Sequence, residues 1–253
     1  MNLDAIRELF DSYGRTARLY PGVIFLLPLL WHLPLLGGSV TFSLPESVAA
    51  AAIGSAALYL IAAFARHCGK VAEPKLIARW GGWPTSILLR HSDERVDHLT
   101  KARYHAQLAK LSGVVMPSAE EEQQQPAQCE AAYRSATKVL LEARRDDSNA
   151  LLHKENAAYG FRRNLYGLRG FALGVTGLLL IVTVGVWLRQ FDAPATAAEI
   201  LTALKADKAW VVAVVLDLIY LAFYGIVVTS DFVFQSGVDY AVALLRTLDK
   251  PAS

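Results

Sequence analysis

Uncharged and mostly apolar positions run through residues 19–36, 47–65 and 170–188, and through 209–230 with one interruption at Asp217. Each block holds 18 to 22 residues. At 1.5 Å of rise per residue, a helix of ~20 residues crosses the ~30 Å hydrocarbon layer of a bilayer. The pattern therefore predicts four transmembrane helices in two hairpins. Between the second and third blocks the periodicity becomes that of water-exposed helices. Ser92 is placed to cap a helix continuing through Asp93 and Glu94 to Ser112, with Gly113 as its stop. Residues 114–128 hold Pro117, Pro126 and a run of glutamate and glutamine, which predicts an exposed loop. No proline lies between Ala127 and Pro194, so a long helix is expected to run into the third span, with Gly160 and Gly167 as its hinges or breaks. Phe234, Val238, Ala241, Leu245 and Leu248 recur at helical spacing and predict a final amphipathic helix. Ile6, Leu9, Phe10 and Tyr13 do the same for residues 1–18, read either as an interfacial helix or as a solvated lead-in.

The fold class expected is all-α, an integral membrane protein. Residues 1–18 form an N-terminal amphipathic segment, 19–66 a first hairpin and 67–168 a cytoplasmic helical domain. Residues 169–230 form a second hairpin and 231–253 a C-terminal amphipathic helix. Composition agrees, with 54% hydrophobic and 19% charged residues among 253. The net charge of +2 is uninformative, whereas its distribution gives an orientation. Arg7, Arg15 and Arg18 precede the first block, and residues 66–169 hold 17 Lys/Arg against 12 Asp/Glu. Residues 37–46 have no Lys or Arg, and the connection after the third block has only Arg189, Lys205 and Lys208. Basic residues flank the cytoplasmic ends of membrane helices, so both termini and the insert are expected in the cytoplasm of a bacterial inner-membrane protein. The acidic residues before the first block and the lack of an Ala-x-Ala site after it speak against a cleaved signal peptide. Cys68 and Cys129 then lie on the reducing side, and no disulfide is expected.

No phosphate-binding loop, dinucleotide fingerprint, zinc-protease motif or nucleophile elbow is present, so the chain reads as non-enzymatic with no cofactor and no metal. His91, His98 and His105 repeat every seven residues on what reads as one helix face, ~10 Å apart and so unable to share an ion. Glu94 and His98 could supply half a site, although a solvated polar face is the plainer reading. His32 is the one histidine inside a span and reads as a packed, hydrogen-bonded side chain. Asp217 stands ~12 Å into the bilayer, where an acid is costly and is by default functional. Tyr220 and Tyr224 lie three and seven residues on, positioned to donate hydrogen bonds to it, and the three together are candidates for a pore or gate. The competing role is a carboxyl that pins helices together. Ala50 and Gly54 in the second span, with Gly170, Gly174 and Gly177 in the third, suit close helix packing and a homo-oligomer. Arg162, Arg163 and Arg169 at the membrane entry suit lipid headgroups, or, with Arg144 and Arg145, an anionic ligand of nucleotide type. Nothing points directly to nucleic acid.

Gly81-Gly82-Trp83-Pro84-Thr85, Leu89-Arg90-His91, Lys101-Ala102-Arg103-Tyr104-His105, residues 155–169 and Asp239-Tyr240-Ala241 resemble uncharacterised bacterial four-transmembrane proteins with a cytosolic insert. Their layout is similar to pore-forming effectors of bacterial antiviral defence. That resemblance implies an oligomeric effector that permeabilises or depolarises the inner membrane under control of a cytoplasmic sensor domain. The alternative is a non-conducting scaffold that anchors a cytosolic partner protein.

Overall fold

The computed structural model describes residues 11–33, 35, 48–145, 149–190, 196 and 208–249, and every regular element among them is helical. After a single turn Ser12–Gly14 and a π turn Arg15–Leu19 come α1 Tyr20–His32, α2 Val48–Trp80, α3 Pro84–Leu89, α4 His98–Ser112 and α5 Ala119–Gln124. These are followed by α6 Pro126–Ala143, α7 Ala150–Gln190, α8 Lys208–Ala222 with a π turn Phe223–Val227, and α9 Ser230–Arg246 with a 3-10 turn Thr247–Asp249. Residues 1–10 of the expected N-terminal helix and the side chain of Ala50 lie outside the described residues. Two stretches are long and apolar enough to cross a membrane, Ala150–Arg189 and Lys208–Val227. Only 17% and 22% of their most apolar windows is buried, where a soluble core helix would be mostly covered. The first apolar block forms only the 13-residue α1 beyond the π turn, and the second begins outside the described residues.

Contacts divide the chain into two compact units: Met1–Lys70 with Phe161–Thr229, and Val71–Gly160 with Ser230–Ser253. The first unit turns apolar side chains outward, among them Ile53, Leu60, Phe171, Leu178, Ile181 and Ile226. It buries His32, Arg163, Asn164, Thr176, Thr183 and Asp217. That inversion is stable only where the surroundings are themselves apolar.

Its helices are assembled around prolines and glycines. Pro21 has no N–H for the Ala17 carbonyl, and Pro28 has none for the Ile24 carbonyl. Asn164 Nδ2 donates to Ala17 O at 2.6 Å, and the Tyr220 hydroxyl donates to Ile24 O at 3.0 Å, so both orphaned acceptors are satisfied from α7 and α8. The π turn just before Pro21 widens the helix where the proline ring would crowd the preceding turn. A Cβ on Gly22 would sit 3.0 Å from the Ile61 carbonyl oxygen, and one on Gly167 2.5 Å from the Cys68 carbonyl oxygen. The expectation that Gly160 and Gly167 are hinges is therefore corrected. α7 is one uninterrupted helix of 41 residues, and Gly167 lacks a side chain because the backbone at Cys68 and Gly69 occupies its place.

The second unit has an ordinary apolar core: Leu88 and Leu89 from α3, Tyr104 and Leu108 from α4, Cys129, Tyr133, Ala136 and Leu140 from α6, and Ala241, Leu244 and Leu245 from α9. α9 thus contributes its apolar face to this core. α4 begins five residues later than expected, at His98, because Asp97 rather than Ser92 accepts from the first turn, at Thr100 N, 2.9 Å. Gly113 ends it in the left-handed conformation (φ 70°), as its position suggested. The expected loop over 114–128 contains α5, started by a capping box in which Ser118 and Glu121 bond each other's backbone N–H. The stalk expected from Ala127 is interrupted as well, since α6 ends at Ala143 and α7 starts at Ala150.

Since His91 precedes α4 in a turn, the seven-residue repeat does not describe one face. The His91 and His105 rings meet edge-on with centroids 5.0 Å apart. Their Nε2 atoms lie 2.9 Å from Pro117 O and 2.8 Å from Leu89 O. Glu122 accepts from the backbone of His91 (2.9 Å), from Ser92 and from the Tyr133 hydroxyl (2.7 Å), which ties the turn, α5 and α6 together.

Burial pushes the His105 imidazole below its ordinary value, against the opposing effect of the Leu89 carbonyl. The folded unit binds this proton less readily than the unfolded chain does, so the stabilisation is complete above the unfolded value of 6.5 and is lost as pH falls through it. Acidifying from pH 7.5 to 5.5 should raise amide exchange in α4 and α6 beyond the intrinsic pH effect. His105→Gln, which keeps a donor for Leu89 O, should remove most of that pH dependence. An unchanged pH response in this variant would contradict the assignment.

Candidate functional site

Asp217 lies on α8 with its side chain fully buried. Trp31 Nε1 donates to its Oδ1 at 3.0 Å, and His32 Nε2 lies 3.3 Å from its Oδ2, close but without the alignment of a hydrogen bond. The other ring nitrogen of His32, Nδ1, is 2.7 Å from the Pro28 carbonyl, an acceptor only, so Nδ1 carries a proton. A neutral imidazole then turns a lone pair from Nε2 towards Asp217. The site thus sets a buried imidazole nitrogen against a buried carboxylate oxygen, 3.3 Å apart.

α1 fixes this arrangement through its prolines. Pro28 leaves the Ile24 carbonyl for Tyr220, and Tyr220 places its ring edge-on against Trp31, 5.9 Å between centroids. The Tyr220 and Tyr224 rings follow at 4.9 Å, with Tyr224 fully buried. The expected roles of the two tyrosines are corrected in part. Tyr220 is brought beside the site but donates to the backbone of α1, and the donor to Asp217 is Trp31, with the His32 ring nitrogen 3.3 Å from Oδ2. The basic partner that Asp217 lacked in the sequence is His32, the other ionisable side chain set within an apolar block. That pairing was open to inference, because two costly groups in lipid satisfy each other more cheaply than apart.

The five arginines are placed separately. Arg169 donates from Nε to Tyr224 O (2.9 Å) and from a terminal nitrogen to Gly225 O (3.0 Å), capping carbonyls left over in the π turn that follows α8. Arg163 is buried and donates to Asn164 Oδ1 at 3.3 Å, while Arg162 is half-buried. In the second unit, Arg144 donates to Thr247 O at 3.1 Å and the exposed Arg145 pairs with Glu142 at 3.0 Å. Arg144 and Arg169 thus serve as backbone caps. The glycines among the small-residue positions make no close approach within this chain. At Gly54, Gly170, Gly174 and Gly177 an added Cβ would meet nothing within 4 Å, so none of them packs against another part of this chain. The close approaches fall instead at Gly22, Gly69 and Gly167.

No family model, curated protein or solved structure matches the chain. The functional reading rests on the site itself.

Proposed function

We propose that this is a non-enzymatic protein of the bacterial inner membrane, crossing it four times with both termini in the cytoplasm. It acts as an oligomeric, channel-like effector whose helical second unit receives the controlling signal. The observation that carries this reading is the Asp217–His32 pair, sealed inside a unit whose exterior is apolar. An acid and a base held in lipid are expensive to keep, and such groups mark ion or proton pathways. The pair joins α8 to α1, each of which has a π turn or a proline within two helical turns of it, so both helices are weakened near the contact. In this proposal the pair is the latch of the closed form, and parting α1 from α8 admits water and exposes the carboxylate to a conducting path. The outward-facing Gly54, Gly170 and Gly174 offer a surface for neighbouring copies.

A latch can be tested without knowing its trigger. In liposomes loaded with a potential-sensitive dye, the wild-type protein should leak slowly. Asp217→Asn and His32→Gln keep shape and polarity but remove the acid–base pair, and should each raise leak by about tenfold or more, with normal elution in detergent. Leak equal to wild type in both well-folded variants would rule out the latch. It would favour the non-conducting scaffold, a reading that draws on the independent apolar core of the second unit.

A further inference from the structure

The first unit contains a cavity of about 320 Å³ that the proposed function does not use. Its rim is cationic, formed by Arg18 from the π turn before α1 and by Arg66, His67 and Lys70 from α2. Its floor is Tyr59, Ala62 and Ala63, one to three turns earlier on the same helix. No carboxylate is among the described residues that line it. Arg18 is held in place by the Tyr13 ring, 5.5 Å from its guanidinium carbon, and by the Asn164 bond to the adjoining Ala17 carbonyl. Tyr59 packs on Leu19 and Ala62, which fixes the floor against the π turn. Beside the floor, Leu60 and Phe64 stand exposed.

We infer that this cavity binds the phosphate of an anionic phospholipid, with its acyl chains lying along Leu60, Ala63 and Phe64. Three obligatory or near-obligatory cations and an imidazole around one hollow suit a phosphodiester. The apolar floor and exposed flank distinguish a lipid from a free anion, since inorganic phosphate would use the rim alone. The cations also follow the second apolar block, residues 47–65, at the depth where headgroups begin. The inference rests on the membrane placement proposed above, and a different measurement tests that placement.

The full chain is purified in mild detergent, and retained lipid is counted by native mass spectrometry during titration with phosphatidylglycerol, phosphatidylcholine or inorganic phosphate. Wild type should hold phosphatidylglycerol in preference to phosphatidylcholine. Arg66→Gln with Lys70→Gln should weaken retention by roughly 25-fold, about fivefold for each cation lost near an anionic group. Arg145→Gln, an exposed residue already paired with Glu142, should have no effect. Ala63→Phe fills the exposed floor without changing charge and should also displace the lipid, which covers the case of a double variant that does not fold. Equal retention by wild type and Ala63→Phe, or displacement of lipid by equimolar inorganic phosphate, would overturn the lipid site. If the protein instead leaves the membrane in an alkaline wash, the membrane placement itself has failed.

Discussion

Gly167→Val is expected to leave little folded protein, because its new side chain would overlap backbone atoms of Cys68 and Gly69. A clash with another side chain can be relieved by a rotamer change, whereas one with backbone requires α2 and α7 to separate. Asn164, one turn earlier on α7, is pressed against Gly69 in the same way, so separation would also disturb its bond to Ala17 O. Overpacking a well-filled core typically costs ~1–3 kcal/mol, and a backbone overlap in a closely packed helix pair belongs at or above the top of that range. Gly170→Val is the matched control, since a Cβ there meets nothing, and its melting in detergent should stay within ~1 kcal/mol of wild type. The measurement is monodisperse yield and thermal unfolding of both variants. Comparable stability of the two would refute the account of α2 and α7.

The contrast between these glycines shows where the sequence was and was not informative. Gly170, Gly174 and Gly177 form a regular pattern that can be recognised in one dimension. Gly167 is significant only because Cys68 and Gly69, a hundred residues away, lie against it. Local signals carried through well. The apolar blocks gave helices among the described residues and Gly113 ended α4, while the lone acid at 217 is buried beside Trp31 and His32. Two local signals were available but outweighed. Ser118 with Glu121 is a capping box inside a segment whose proline and glutamine content read as loop, and Asp97 is a better cap than Ser92, whose hydroxyl is engaged by Glu122. The partners of Asp217 were harder to find, because Trp31 and His32 are 186 and 185 residues from it and sit in an apolar run where histidine reads as packing. The carbonyls freed by Pro21 and Pro28 posed a question visible in the sequence, but their answers, Asn164 and Tyr220, lie on other helices.

Asp217→Leu is expected to destabilise the first unit, in contrast to Asp217→Asn, which should leak but remain folded. Leucine removes the acceptor of Trp31 Nε1, leaving a buried donor unmatched, and takes the carboxylate away from the buried His32 ring. The unmatched donor alone costs about 1–3 kcal/mol. Asparagine preserves an acceptor for Trp31 and should lose less than half of that. Thermal unfolding of both variants in one detergent, followed by tryptophan fluorescence, makes the comparison, with Trp31 itself as a reporter of the site. A leucine variant as stable as the asparagine variant would mean that the pair contributes little to the fold.

The two proline-freed carbonyls of the first helical stretch also bear on how the protein is made. Ala17 O waits for Asn164 and Ile24 O for Tyr220, partners that follow 147 and 196 residues later in the chain. At ribosomal speeds of about 5–20 residues per second, the second of these intervals lasts roughly 10–40 s. Until then the nascent α1 stretch has an uncovered Ile24 carbonyl and a His32 without Asp217, a poor guest for pure hydrocarbon. In the proposed four-span topology, the stable residence of α1 in the bilayer therefore depends on α8, and α1 waits at the lipid–water boundary or in the polar interior of the insertion machinery until α8 is released.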